Sequence, residues 1–122
     1  MTLFERDLTL RVKRIIGAVC EHSEPEKDII ELDGSVKAVH LIGSIVVYKY
    51  NTNKDSKFSH AFGYKDRMGL LYPVIELDMP SSKAVVINND YNFAASLVQN
   101  IEIILANKGL MTKQGQPVLK AA

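Results

Sequence analysis

Apolar residues return along this chain with two different rhythms. At the start, Phe4, Leu8, Val12, Ile15, Ile16 and Val19 recur every three or four residues. On a helix that spacing gathers them into one stripe facing a core. Thr2 and Glu5 form a capping-box pair, each side chain satisfying a free backbone N–H at the helix start. Leu8, Leu10 and Val12 also alternate, so a strand over these residues is the competing reading. Arg11, Lys13 and Arg14 read as the solvated basic face of the helix.

Residues 23–34 support two readings. Ser23, Pro25 and Glu26 resemble a helix start, with Asp33-Gly34 as its end. Ile29, Ile30 and Leu32 before Asp33-Gly34 also fit a strand entering a tight hairpin turn. The short helix is the reading preferred on sequence. The acidic run Glu24, Glu26, Asp28, Glu31 and Asp33 is carried by either.

From Ser35 to Asn88 the rhythm shortens towards two. Val36–Ile42 and Ser44–Tyr50 are rich in β-branched and aromatic residues, with Gly43 between them as a break or bulge. Residues 51–56 are a polar turn. Phe58, His60, Phe62 and Tyr64 alternate along one strand face. Lys65-Asp66-Arg67 turns the chain into Leu70–Leu77, where Pro73 lacks an N–H and favours an edge or a bulge. Met79-Pro80-Ser81-Ser82 is a loop before a last strand over Lys83–Ile87. Short turns between successive strands make an antiparallel meander.

The final element returns to helical spacing. Asp90 is a good N-cap, and Ala94, Leu97, Val98, Ile101, Ile104 and Leu105 form an apolar face. Lys108-Gly109-Leu110 is a helix stop with a hydrophobic latch. Glu102 is the only charge between Tyr91 and Asn107. The polar side is therefore neutral, and it marks Asn92, Ser96, Gln99 and Asn100 as candidate interface residues. The expected fold is α+β: an N-terminal helix, a four- to six-stranded antiparallel meander sheet, and a long C-terminal helix packed on one sheet face. A single domain spans residues 1–111, and 112–122 lose periodicity as a flexible tail.

Composition narrows the function. A chain of 122 residues buries roughly two-thirds of its unfolded surface without disulfides or metal. A net charge of +1 argues neither for strong nucleic-acid attraction nor for an acidic mimic of it. The lone Cys20 builds no internal disulfide and suits a reducing compartment, so a cytoplasmic location is expected. Glu5, Asp7, Arg11, Lys13 and Arg14 interrupt any secretory apolar core. Gly17-Ala18-Val19-Cys20 lacks the apolar run that would precede a lipoprotein cleavage site. No stretch approaches the ~18 apolar residues of a membrane span.

Catalytic chemistry finds little to stand on. The glycines form no phosphate-binding loop. Cys20 and His22, with His40 and His60 far along the chain, lack the paired spacing of a zinc site. Cys20 reads as a core residue, and His40 as a satisfied histidine on an apolar strand. Glu76 and Asp78 read as strand-end charges. In Ser81-Ser82-Lys83, adjacent strand residues point to opposite faces, which disfavours a Ser–Lys dyad. The expectation is no catalytic residue, no metal and no cofactor; a small enzyme is the third reading and would need a site around His60, Glu76 and Asp78.

One region stands out. Six of the nine aromatic residues lie between Tyr48 and Tyr72, interleaved with Lys49, Lys54, Lys57, Lys65 and Arg67. Rings and cations together on one surface stack and track single-stranded nucleic acid. The ligand-binding candidates are Tyr48, Tyr50, Lys54, Lys57, His60, Lys65 and Arg67. If the turn sets Tyr50 near Phe58, then Tyr48, Tyr50, Phe58, His60, Phe62 and Tyr64 share one face of a hairpin. That face fills a core more readily than it receives a ligand. The leading expectation is a non-enzymatic binding or regulatory protein, of adaptor, inhibitor or immunity type, acting through a protein partner as a homodimer. The second is a single-stranded nucleic-acid or nucleotide binder using residues 48–67.

Overall fold

A computed structural model describes residues 3–51 and 57–119, with side chains from residue 5 onward. Helix α1 (Leu3–His22) comes first and helix α2 (Tyr91–Asn107) last. Between them run β1 (Ile29–Glu31), β2 (Val36–Ile42), β3 (Ile45–Tyr50), β4 (His60–Lys65), β5 (Leu71–Asp78) and β6 (Lys83–Val86). The strands form one antiparallel sheet in the order β1-β2-β3-β4-β5-β6. The α+β meander expected from the periodicities is what forms. Among the described residues no helix is long and apolar enough to cross a membrane.

Both helices sit over the same face of the sheet. Leu8, Val12, Ile15, Ile16 and Val19 of α1 join Ala94, Val98, Ile101 and Leu105 of α2 in one core. From the sheet that core takes Ile45, Val47, Phe62, Ile75, Leu77 and Val86. Each fully buried aliphatic or aromatic side chain contributes about 1.5–3 kcal/mol. This shared burial makes α1 a helix despite the alternation of Leu8, Leu10 and Val12. Leu10 is left exposed, because a helix cannot turn 8, 10 and 12 to one side. The capping candidate Thr2 lies outside the described residues.

The short helix expected over 23–34 does not form. Glu24–Asp28 makes a turn, with the Asp28 N–H donating to the Glu24 carbonyl at 2.7 Å. Ile29–Glu31 then pairs with Ala38–His40 as an edge strand. A helix here would have only the three apolar residues Ile29, Ile30 and Leu32 to bury. As an edge strand the segment gains ladder hydrogen bonds from β2 instead.

Pro73 falls at a bulge opposite Gly63, between β4 and β5. Strand β6 pairs only with Ile75–Asp78, so the Pro73 side of β5 needs no N–H there. At this bulge the two backbones close up. A Cβ on Gly63 would lie 1.9 Å from the Tyr72 carbonyl oxygen, so only glycine fits.

The caps of α2 are built as the sequence proposes. Asp90 accepts from the Phe93 N–H at 3.2 Å. At the other end Gly109 takes φ +75°, Leu110 N–H bonds to the Leu105 carbonyl, and Gly109 N–H to the Ala106 carbonyl. This is the paired-bond helix stop that glycine favours. Beyond it Met111 is buried and bridges Pro117. The Val118 N–H bonds to the Leu110 carbonyl, and its own carbonyl accepts from His22.

Candidate binding surfaces

The β3–β4 register decides where the aromatic side chains point. Val47 lies opposite Phe62, Tyr48 opposite Ala61, and Lys49 opposite His60. Tyr50 therefore meets Ser59, whose carbonyl accepts its N–H at 2.9 Å. The expected pairing of Tyr50 near Phe58 is off by one residue, and a one-residue slip moves a strand's side chains to the other face. His60, Phe62 and Tyr64 face the helices, whereas Tyr48 and Tyr50 lie on the open face. The reason is burial: Ile45 and Val47 must share the core side with Phe62.

The six described ligand candidates do not converge. Tyr48, Tyr50 and Lys65 share the open face with Val46, Ala61, Gly63 and Glu76. His60 is on the opposite side, Lys57 is exposed before β4, Arg67 is exposed in the β4–β5 turn, and Lys54 lies outside the described residues. Val46 and Ala61 on this face are fully buried, and Val39, opposite Tyr48, nearly so. Burial pushes both phenols up, and Glu76 pushes Tyr50 further. A carboxylate beside Tyr50 repels the phosphates that a nucleic-acid platform must attract.

On the helix side, Cys20, His40, Lys49 and His60 lie around the end of α1. His40 Nδ1 is 3.1 Å from Ser23 Oγ, and that hydroxyl donates to the Val19 carbonyl. The arrangement makes Nδ1 the protonated ring nitrogen, donating to Ser23. Burial, and then Lys49, holds both His40 and His60 below the ordinary imidazole range. Burial pushes the Cys20 thiol up, with Lys49 offsetting part of it. A raised thiol is a poor nucleophile. Among the described residues no group of three His, Cys, Asp or Glu side chains is placed to hold a metal ion.

Glu76 and Asp78 have separate surroundings. Glu76 lies beside Tyr50, and Asp78 accepts from Ser81 Oγ at 2.6 Å, opposite Lys83. Ser82 is approached by Lys13 rather than Lys83: Lys13 Nζ donates to Ser82 Oγ at 2.6 Å. Lys13 and Arg11 thus both have partners, and the basic face of α1 is only partly solvated.

Helix α2 presents the other surface. Asn92, Ser96, Gln99 and Asn100 are all exposed. Ile103, at 53% exposure, lies on the same stripe, and Ile104 is exposed beside it. Glu102 is turned aside to Arg11, whose Nη2 donates to Oε1 at 2.6 Å. The exposure of these polar residues was legible from spacing, and the position of Ile103 three residues after Asn100 puts it on the same stripe. A hollow of about 470 Å³ adjoins the stripe, lined in part by Gln99, Ile103, Asn107, Met111 and Lys113.

No protein-family model, curated protein or solved structure matches this chain.

Proposed function

We propose that this is a non-enzymatic binding protein, adaptor- or inhibitor-like, that works through protein contacts and pairs with a second copy along the outer face of α2. The observation that carries this reading is the charge-free stripe of Asn92, Ser96, Gln99, Asn100, Ile103 and Asn107. Surface helices ordinarily carry charge on the solvent side. Here the one available charge is held by Arg11. A two-fold axis through the stripe sets two copies of α2 antiparallel, which places no like charges opposite one another and opposes the helix dipoles favourably. The hollow beside Ile103 then has room for a side chain from the second copy. The lone Cys20 thiol fits a cytoplasmic setting.

The test is solution mass by light scattering across a protein dilution series. A dimer that dissociates on dilution is expected, with Asn100→Asp shifting it to monomer while the circular dichroism spectrum is unchanged. A wild-type protein that stays monomeric at every concentration would sink the pairing. A nucleic-acid role is the lesser reading, because Glu76 acts on Tyr50 and, among the described hairpin cations, Lys65 alone shares the face of the two rings.

A further inference from the structure

A second site is built where the β4–β5 hairpin meets the start of α2. The Tyr64 and Tyr72 rings stack at 5.2 Å between centroids, with 23° between their planes. Phe93 meets Tyr64 edge-on at 5.7 Å and 64°. Two stacked rings with a third standing steeply to them form a corner. That corner lines an open pocket of about 290 Å³, together with Pro73, Val74, Ile87, Asn88 and Asp90. Tyr72 and Phe93 are 39% and 43% exposed, so the rings reach solvent instead of filling the core.

The charge in the wall of this corner is negative. Asp90 is in its wall, and among the described residues no Lys or Arg lines it. Asp66, in the β4–β5 turn, pushes the Tyr72 phenol up, and its Oδ1 accepts from the Met68 and Leu70 N–H groups at 2.9 Å each. The face of an aromatic ring attracts a cation, and the carboxylates of Asp66 and Asp90 near this corner favour the same charge. The opposing influences are the N-terminal end of the α2 dipole and Arg67 in the neighbouring turn. Asp90 offsets the first directly by capping the helix. Arg67 is exposed and lies outside the lining.

We propose that the Tyr64–Tyr72–Phe93 corner binds a methylated ammonium group, either a small quaternary ammonium compound or a methylated lysine side chain. A methylated ammonium suits this corner better than a bare one. Its methyl groups contact the rings, its charge is spread, and it loses little hydration on entering a half-open aromatic site. This site is independent of the outer stripe of α2: the cation enters between the hairpin and the first turn of the helix.

The test is aromatic NMR on the full chain titrated with choline chloride, with the neutral isostere 3,3-dimethyl-1-butanol as its control and a trimethyl-lysine peptide as a separate arm. Shifts confined to Tyr64, Tyr72 and Phe93 are expected in the millimolar range, with the isostere binding about fivefold to tenfold more weakly. Phe93→Ala and Tyr72→Ala should each weaken choline by a similar factor. Asp90→Asn keeps the helix cap and should weaken choline without affecting the isostere. Amide spectra matching wild type away from the pocket show that each variant is folded. Tighter binding of the peptide than of choline points to a protein-borne cation, and the reverse to a small metabolite. Equal binding of choline and isostere overturns the cation assignment. Choline shifts unchanged in Phe93→Ala and Tyr72→Ala, or absent throughout the millimolar range, overturn the site.

Discussion

Arg11 of α1 grips Glu102 of α2 across 91 positions of sequence, with Nη2 at 2.6 Å from Oε1 and Nε at 3.2 Å from both carboxylate oxygens. Both side chains are largely covered, at 29% and 20% exposure. The pair ties the two helices together and takes the only charge of α2 off its outer face.

Arg11→Ala should therefore cost about 1–2 kcal/mol, because Glu102 is left half-buried without its donors. Glu102→Ala should cost a similar amount. A double-mutant cycle by urea unfolding checks this: the combined loss should be clearly smaller than the sum of the single losses. Simple additivity would mean that the contact contributes nothing.

Gly63→Ala should destabilise by about 3 kcal/mol or more, since β5 backbone occupies the place of the new methyl group. Gly43→Ala is the internal control. Gly43 has φ +61° but open space around it, so only the left-handed cost of about 1–2 kcal/mol applies. Thermal melts that rank Gly43→Ala as the worse substitution would contradict the close approach at the bulge.

The two sheet faces should respond differently to truncation. Phe62→Ala opens a cavity in the helix-covered core and should cost about 3–5 kcal/mol. Tyr48→Ala, on the open face, should cost about 1–2 kcal/mol and leave a folded protein. Comparable losses by chemical denaturation would mean that the open face is as tightly covered as the core.

Stability should fall on mild acidification. His40 and His60 are held below the ordinary value of 6.5 by burial and by Lys49. The unfolded chain therefore takes up protons first as pH falls. The stabilisation is fully present above about pH 6.5 and is lost as pH drops through the folded-state values. Melting temperatures measured from neutral pH downward should decline, and Lys49→Met should lessen the decline. A profile that rises on acidification would show that the histidines are favoured as cations in the fold.

Local elements were legible because their signals are local. The α2 stripe from Ala94 to Leu105, the Asp90 cap and the Gly109 stop each lie within a few residues of the groups they satisfy. The meander could be read from the alternation in Phe58, His60, Phe62 and Tyr64 and from the short turns. The 23–34 segment was misread because Ile29 and Ile30 are stabilised by β2, a partner that no local window contains.

By itself the sequence determined which residues share a face within one element: His60 with Phe62 and Tyr64, Tyr48 with Tyr50, Asn92 with Ser96 and Asn100. The tertiary structure alone decided how those faces face one another. The six-strand register rests on burying Ile45, Val47 and Phe62 under two helices, and that choice sends Tyr48 and Tyr50 to the opposite side from His60. The Arg11–Glu102 pair and the Tyr72–Phe93 corner belong to the same class. Each joins side chains from separate elements, and only packing brings those elements within reach.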